Sequence, residues 1–172
     1  MIQAGVAEAF NGQINKEFYS YYLYLAMATH LQGRGLKGLS ALMRQKAAEE
    51  QTHAMKLFDF VEARGGAVVL AAIDAPPATW DSVLAAAEAA YDHECFISRS
   101  IDDLVAVCRA ANDNAGETFL QWFVTEQVEE EETAQELVDQ LRLIGDNGAA
   151  LYMLDRDLGA GVATAAATPA AT

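Results

Sequence analysis

The chain has 172 residues, of which 52% are hydrophobic, and a formal net charge of −14. That length supports one domain with a real core. The acidic balance argues against a nucleic-acid partner or an anionic membrane surface, both of which call for Lys and Arg, and it favours an affinity for cations.

Four long amphipathic stretches predict helices at about 2–32, 36–64, 80–110 and 116–144, and a short fifth helix at about 147–158. The Ala/Thr/Gly-rich remainder, 159–172, has no periodic apolar face and is predicted to be disordered, so the domain is expected to end near residue 158. The first two helices are joined by Gln32-Gly33-Arg34-Gly35, and the third and fourth near Asn112-Asp113-Asn114. Links this short make antiparallel neighbours. The link from Gly65 through Ala75-Pro76-Pro77-Ala78 is longer. Its roughly 14 extended residues reach about 46 Å, and the second helix is about 42 Å long. The link can therefore cross the whole bundle. The expected fold is all-α: a four-helix bundle with one long crossover that makes the second and third helices parallel.

The N-terminus has no basic region followed by an apolar run, so neither a signal peptide nor a membrane-spanning segment is expected. Cys95 and Cys108 lie on one predicted helix roughly 20 Å apart and cannot bridge each other within a subunit. Free thiols suit a reducing cytoplasm.

The inward seam of each helix, spaced alternately three and four residues, is apolar except near its middle. There the seams read Ile14-Glu17-Tyr21, Ala47-Glu50-Ala54, Tyr91-Glu94-Ser98 and Gln127-Glu130-Ala134. Glu17 and Glu50 are equally distant from the turn joining the first two helices, and Glu94 and Glu130 from the turn joining the third and fourth, so each pair should sit side by side. Four carboxylates in an apolar core would repel one another and lose hydration, and cations would remove that cost. No Lys or Arg holds a mid-seam position to pair them, because helical geometry points Lys16 and Lys46 away.

His53 follows Glu50 by three residues and projects from the same face. Glu-x-x-His is a ligand spacing of di-iron bundles. Carboxylates with one imidazole suit iron or manganese. Glu49, Glu126 and Glu129 neighbour seam positions, and form either a third metal position or an ordinary solvated acidic face. His30 is expected to be exposed near the first turn. His93 should point away from the acids, while Tyr21, Tyr91, Met43, Trp122 and Phe123 read as packing.

The segments Asn15-Lys16-Glu17-Phe18-Tyr19-Ser20, Ala48-Glu49-Glu50-Gln51-Thr52-His53, His93-Glu94 and Phe119 to Glu130, with Leu151-Tyr152, resemble bacterial non-haem ferritins over about residues 2–158. The resemblance implies a ferroxidase, which oxidises Fe(II) with dioxygen at a di-iron site within each subunit and stores ferric oxyhydroxide in a cage. One iron would be held by Glu17, Glu50 and His53. The other would be held by Glu50, Glu94 and Glu130, with Glu50 bridging and Gln127 alongside. Tyr24 matches a family tyrosine that supplies an electron. Glu49, Glu126 and Glu129, with Glu130, match a third iron site. The implied assembly is a 24-subunit homo-oligomer, with Glu117 near its threefold channel. Haem is not expected, because Gln51 stands where bacterioferritins carry their haem-ligating methionine. The alternative is an iron-binding storage shell without efficient ferroxidase turnover.

Overall fold

The structure, a computed structural model, describes the backbone of residues 1–167 and the side chains through residue 164. Five helices follow in order: α1 (Ala4–Gly33), α2 (Lys37–Ala63), α3 (Val83–Ala110), α4 (Asn114–Ile144) and α5 (Gly148–Ala167). There is no strand among the described residues. Among the described residues no helix is long and apolar enough to cross a membrane.

The first three helices end in the same way. Gly35, Gly65 and Asn112 each adopt positive φ. In each case the next residue donates its amide five residues back, Leu36 to Leu31, Gly66 to Val61 and Asp113 to Cys108. This left-handed termination satisfies the last free carbonyls and reverses the chain, and glycine or asparagine adopts it at least cost. The turns therefore make α1–α2 and α3–α4 antiparallel hairpins.

Pairs of side chains set how the hairpins dock. Ser100 Oγ donates to Gln13 Oε1 at 2.8 Å, and the Tyr24 hydroxyl donates to Glu94, so α1 and α3 run antiparallel. Lys46 meets Glu130, and the His53 ring meets Phe123, so α2 and α4 do too. It follows that α2 and α3 are parallel, as the long link requires. That crossover, residues 64–82, lies along α1. Asn11 Nδ2 donates to the Ala67 carbonyl at 3.0 Å and Asn15 Nδ2 to the Ala72 carbonyl at 3.1 Å. One helical turn apart, the two amides clip the extended segment in place. Ser82 then caps α3 by accepting from the Ala85 amide at 2.9 Å.

Apolar side chains form two clusters. One includes Phe10, Ile14, Leu57, Ile101, Leu120 and Phe123. The other includes Leu23, Met27, Leu31, Met43, Leu137 and Leu141. Glu17, Glu50, His53, Glu94, Gln127 and Glu130, all buried, belong to neither and form a polar layer at mid-height. Of the mid-seam residues, Tyr21, Tyr91, Ser98 and Ala134 are only half-buried.

The fifth helix corrects the predicted boundary at residue 158, since it continues to Ala167. Alanine, the strongest helix former, fills much of this stretch. Packing adds to it: an added Cβ on Gly159 would lie 3.1 Å from the Gly38 Cα. Only residues 168–172 of the predicted tail lie outside the described residues.

Candidate metal centre

Each of the first four helices delivers one glutamate to the polar layer. One ligand-capable atom each from Glu17, Glu50 and His53 lies within 4.8 Å of the others, and all three residues are buried. His53 Nδ1 is 3.6 Å from Glu50 Oε2, too long for a hydrogen bond but suited to sharing a small cation. Glu17 Oε2 and both Glu50 oxygens are buried without a hydrogen-bond partner among the described residues. Unpaired buried carboxylate oxygens are costly, and a cation between them removes that cost.

The remaining acids are held more firmly. Glu94 accepts from the Tyr24 hydroxyl. Its Oε2 also accepts from Gln127 Nε2 at 3.3 Å, and Gln127 reaches Ser98 Oγ at 3.4 Å. Ser98 and Gln127 help line a groove of about 450 Å³ between α3 and α4. Behind Glu17, Gln13 Nε2 donates to Glu17 Oε1 at 2.8 Å and is itself fixed by Ser100. The sequence reading missed this chain, although Gln13 lies one turn before Glu17 on the same face.

Burial and mutual repulsion set the electrostatics. Burial, then the Glu50 charge, pushes Glu17 well above the ordinary carboxylate value. Burial, then Glu94, does the same to Glu50. Glu94 rises to about 7, again chiefly through burial, with the Tyr24 hydrogen bond pulling it back down. Burial and then Glu94 raise the Tyr24 phenol in turn. Without cations Glu17, Glu50 and Glu94 therefore hold their protons more readily than free carboxyls do.

Lys46 requires a correction. Helical geometry points its Cβ away from the seam, yet its Nζ lies 2.5 Å from Glu130 Oε2 and 3.3 Å from Glu49 Oε2. A long aliphatic side chain can carry its charge back toward acids that its backbone faces away from. Burial pulls the ammonium pKa down, but Glu130 and Glu49 more than offset this and the net shift is upward. The other acids near the layer are dispersed. Glu126 is half-buried and acts on Lys56, whereas Glu129 is exposed. Glu117 pairs with Arg109 at 2.7 Å.

The other histidines differ from each other. His30 is half-buried rather than exposed, because Trp80, at the end of the crossover, packs edge-on against it at 5.4 Å. His93 points away from the acids, as expected. Its Nε2 is 2.8 Å from Ser20 Oγ, and burial lowers its pKa to about 4. Trp122 packs on the His53 ring at 5.4 Å, with Lys56 Nζ 3.1 Å from its own ring centroid.

Comparison with known proteins agrees with this fold. Residues 7–144 match the ferritin-like domain family. The chain is 37% identical to a bacterial non-heme ferritin of Bacteroides fragilis over 92% of its own length and 99% of that protein's. It is 36% identical to a probable bacterial non-heme ferritin-like protein of Haemophilus influenzae, over 92% and 96%. Among solved structures, an engineered closed form of the Archaeoglobus fulgidus ferritin superposes with a TM-score of 0.92 at 50% identity, covering 92% of this chain and 97% of that one. The open-pore ferritin of the same organism gives 0.91 at 50% identity, covering 92% and 98%.

Proposed function

From the premise that the chain belongs to the ferritin-like domain family, we propose that it is an iron-storage ferroxidase that oxidises Fe(II) with dioxygen in the polar layer and stores the ferric product. The observation that supports this most is the unpaired, buried state of Glu17 Oε2 and both Glu50 oxygens, in a layer with two further glutamates. Four carboxylates carry the charge that two divalent ions neutralise.

In this reading Glu17, Glu50 and His53 bind one Fe(II), and Glu50, Glu94 and Glu130 bind the other, with Glu50 shared. Glu50 suits the shared role because neither of its oxygens is committed to another donor. Gln13 and Gln127 hold Glu17 and Glu94 in orientation. Anionic oxygen ligands favour Fe(III) over Fe(II), so the same acids that bind the substrate also help drive its oxidation. Each Fe(II) gives one electron to dioxygen, and the glutamates act as ligands rather than as general acids or bases. Tyr24, whose hydrogen bond to Glu94 ties it to the layer, supplies a further electron in this reading. Haem has no part, and Gln51 is exposed on α2. The subunits assemble as a 24-subunit cage in the cytoplasm.

The test is Fe(II)-dependent oxygen consumption by stopped flow, with Glu50→Ala alongside the unaltered protein. Rapid consumption lost in Glu50→Ala is expected. Normal oxidation in that variant would overturn the assignment. An unaltered protein that takes up iron without consuming oxygen would instead be a storage shell without turnover.

A further inference from the structure

Lys46 occupies ground that the acids would otherwise offer to a metal. Its side chain crosses from α2 to α4, is only 16% exposed, and joins Glu130 to Glu49. These are two of the four carboxylates that the family resemblance gives to a third iron. The other two, half-buried Glu126 and exposed Glu129, complete no cluster of three candidate ligands with them among the described residues.

We propose that the Lys46 ammonium takes the place of a third metal ion, so that each subunit binds two divalent ions in the polar layer and none between Glu49 and Glu130. This rests on the two-ion reading of the layer given above. A divalent ion bound to these same two oxygens would sit against the ammonium, where overlap and like-charge repulsion both oppose it. Charge balance points the same way. Glu17, Glu50, Glu94, Glu130 and Glu49 with Lys46 carry a net charge that two divalent ions cancel, and a third ion would leave excess positive charge beside Lys46 and Glu130, whose side chains are only 16% and 6% exposed. Lys46 thus sets how many ions a subunit takes, and it does so as a fixed cation on α2.

Zinc, which does not change oxidation state, is the probe. Isothermal titration on the assembled protein is expected to give about two zinc ions per subunit. Lys46→Gln and Lys46→Met, the latter keeping the apolar stem, are each expected to give about three, and Lys46→Arg about two. Adding Glu49→Gln to Lys46→Gln should return the count to about two, which places the added ion at this pair. Circular dichroism verifies that each variant is folded. An unaltered protein that already binds three ions would overturn the proposal, as would Lys46→Gln and Lys46→Met remaining at two. If the unaltered protein binds no zinc, both this proposal and the two-ion reading fail. Unaltered protein at two with unchanged variants sinks only the role of Lys46.

Discussion

The Asp155 carboxylate accepts the Leu39 amide proton at 2.8 Å, so α5 caps the beginning of α2. The residue before α2, Leu36, has no side-chain oxygen to do this. A cap normally comes from the neighbouring residue in sequence, but here it comes from a helix more than 100 residues later, and the acidic partner also suits the positive end of the helix. Asp155→Ala is expected to cost about 1 kcal/mol and Asp155→Asn much less. Thermal unfolding checks the loss, and limited proteolysis should show α5 cut before the bundle.

Gly38 makes the same docking possible. An added Cβ there would lie 1.6 Å from the Asp155 carbonyl oxygen and 2.9 Å from the Gly159 amide nitrogen, both of them backbone atoms. No rotamer relieves a backbone clash. Gly38→Ala should therefore displace α5 rather than merely loosen it. Hydrogen exchange is expected to show protection lost across α5 and the first turn of α2, with α1, α3 and α4 retaining theirs.

Stability without metal should fall as pH rises. A glutamate whose folded-state pKa is raised binds more protons when folded, so its contribution is complete below its unfolded value and is lost through its folded one. For Glu94 that window runs from 4.5 to about 7, and the loss is on the order of 3 kcal/mol at most. Glu17 and Glu50 act in the same direction. His93, lowered to about 4, works oppositely, because charging it below its unfolded value destabilises the fold. Comparing the metal-free protein with Glu94→Gln isolates the carboxylate. The variant's denaturation midpoint should fall less between pH 5 and pH 8, and equal slopes in the two proteins would refute the assignment.

Tyr24→Phe should weaken metal binding at neutral pH without unfolding the protein. The Tyr24 hydrogen bond lowers the Glu94 pKa, so removing the hydroxyl lets that pKa rise further. Protons then compete better with the metal. Zinc affinity measured from pH 6 to pH 8 is expected to be several-fold lower at the acidic end in the variant, with the two proteins converging as pH rises. A uniform loss at every pH would mean that the ring packs the site rather than tuning Glu94.

Much of the bundle was legible because helix periodicity and hairpin symmetry are backbone properties. Glu17 opposite Glu50, and Glu94 level with Glu130, follow from seam spacing and distance from a turn, and neither depends on side-chain reach. Lys46 was missed because periodicity fixes the direction of a Cα–Cβ bond, not where a four-carbon stem ends. His30 was misread because Trp80, which covers it, arrives only at the far end of the crossover. The length of α5 was hidden because the Ala/Thr/Gly-rich stretch after residue 158 has no periodic apolar face. In the fold, Gly159 is small because α2 passes so close to it.

The acids of the polar layer are contributed one per helix, the last of them from α4. A partly synthesised chain that ends before α4 can form its first hairpin but holds only part of the set. The first hairpin thus carries Glu17, Glu50 and His53 by itself, whereas the second pair of acids comes together only when α4 folds back on α3.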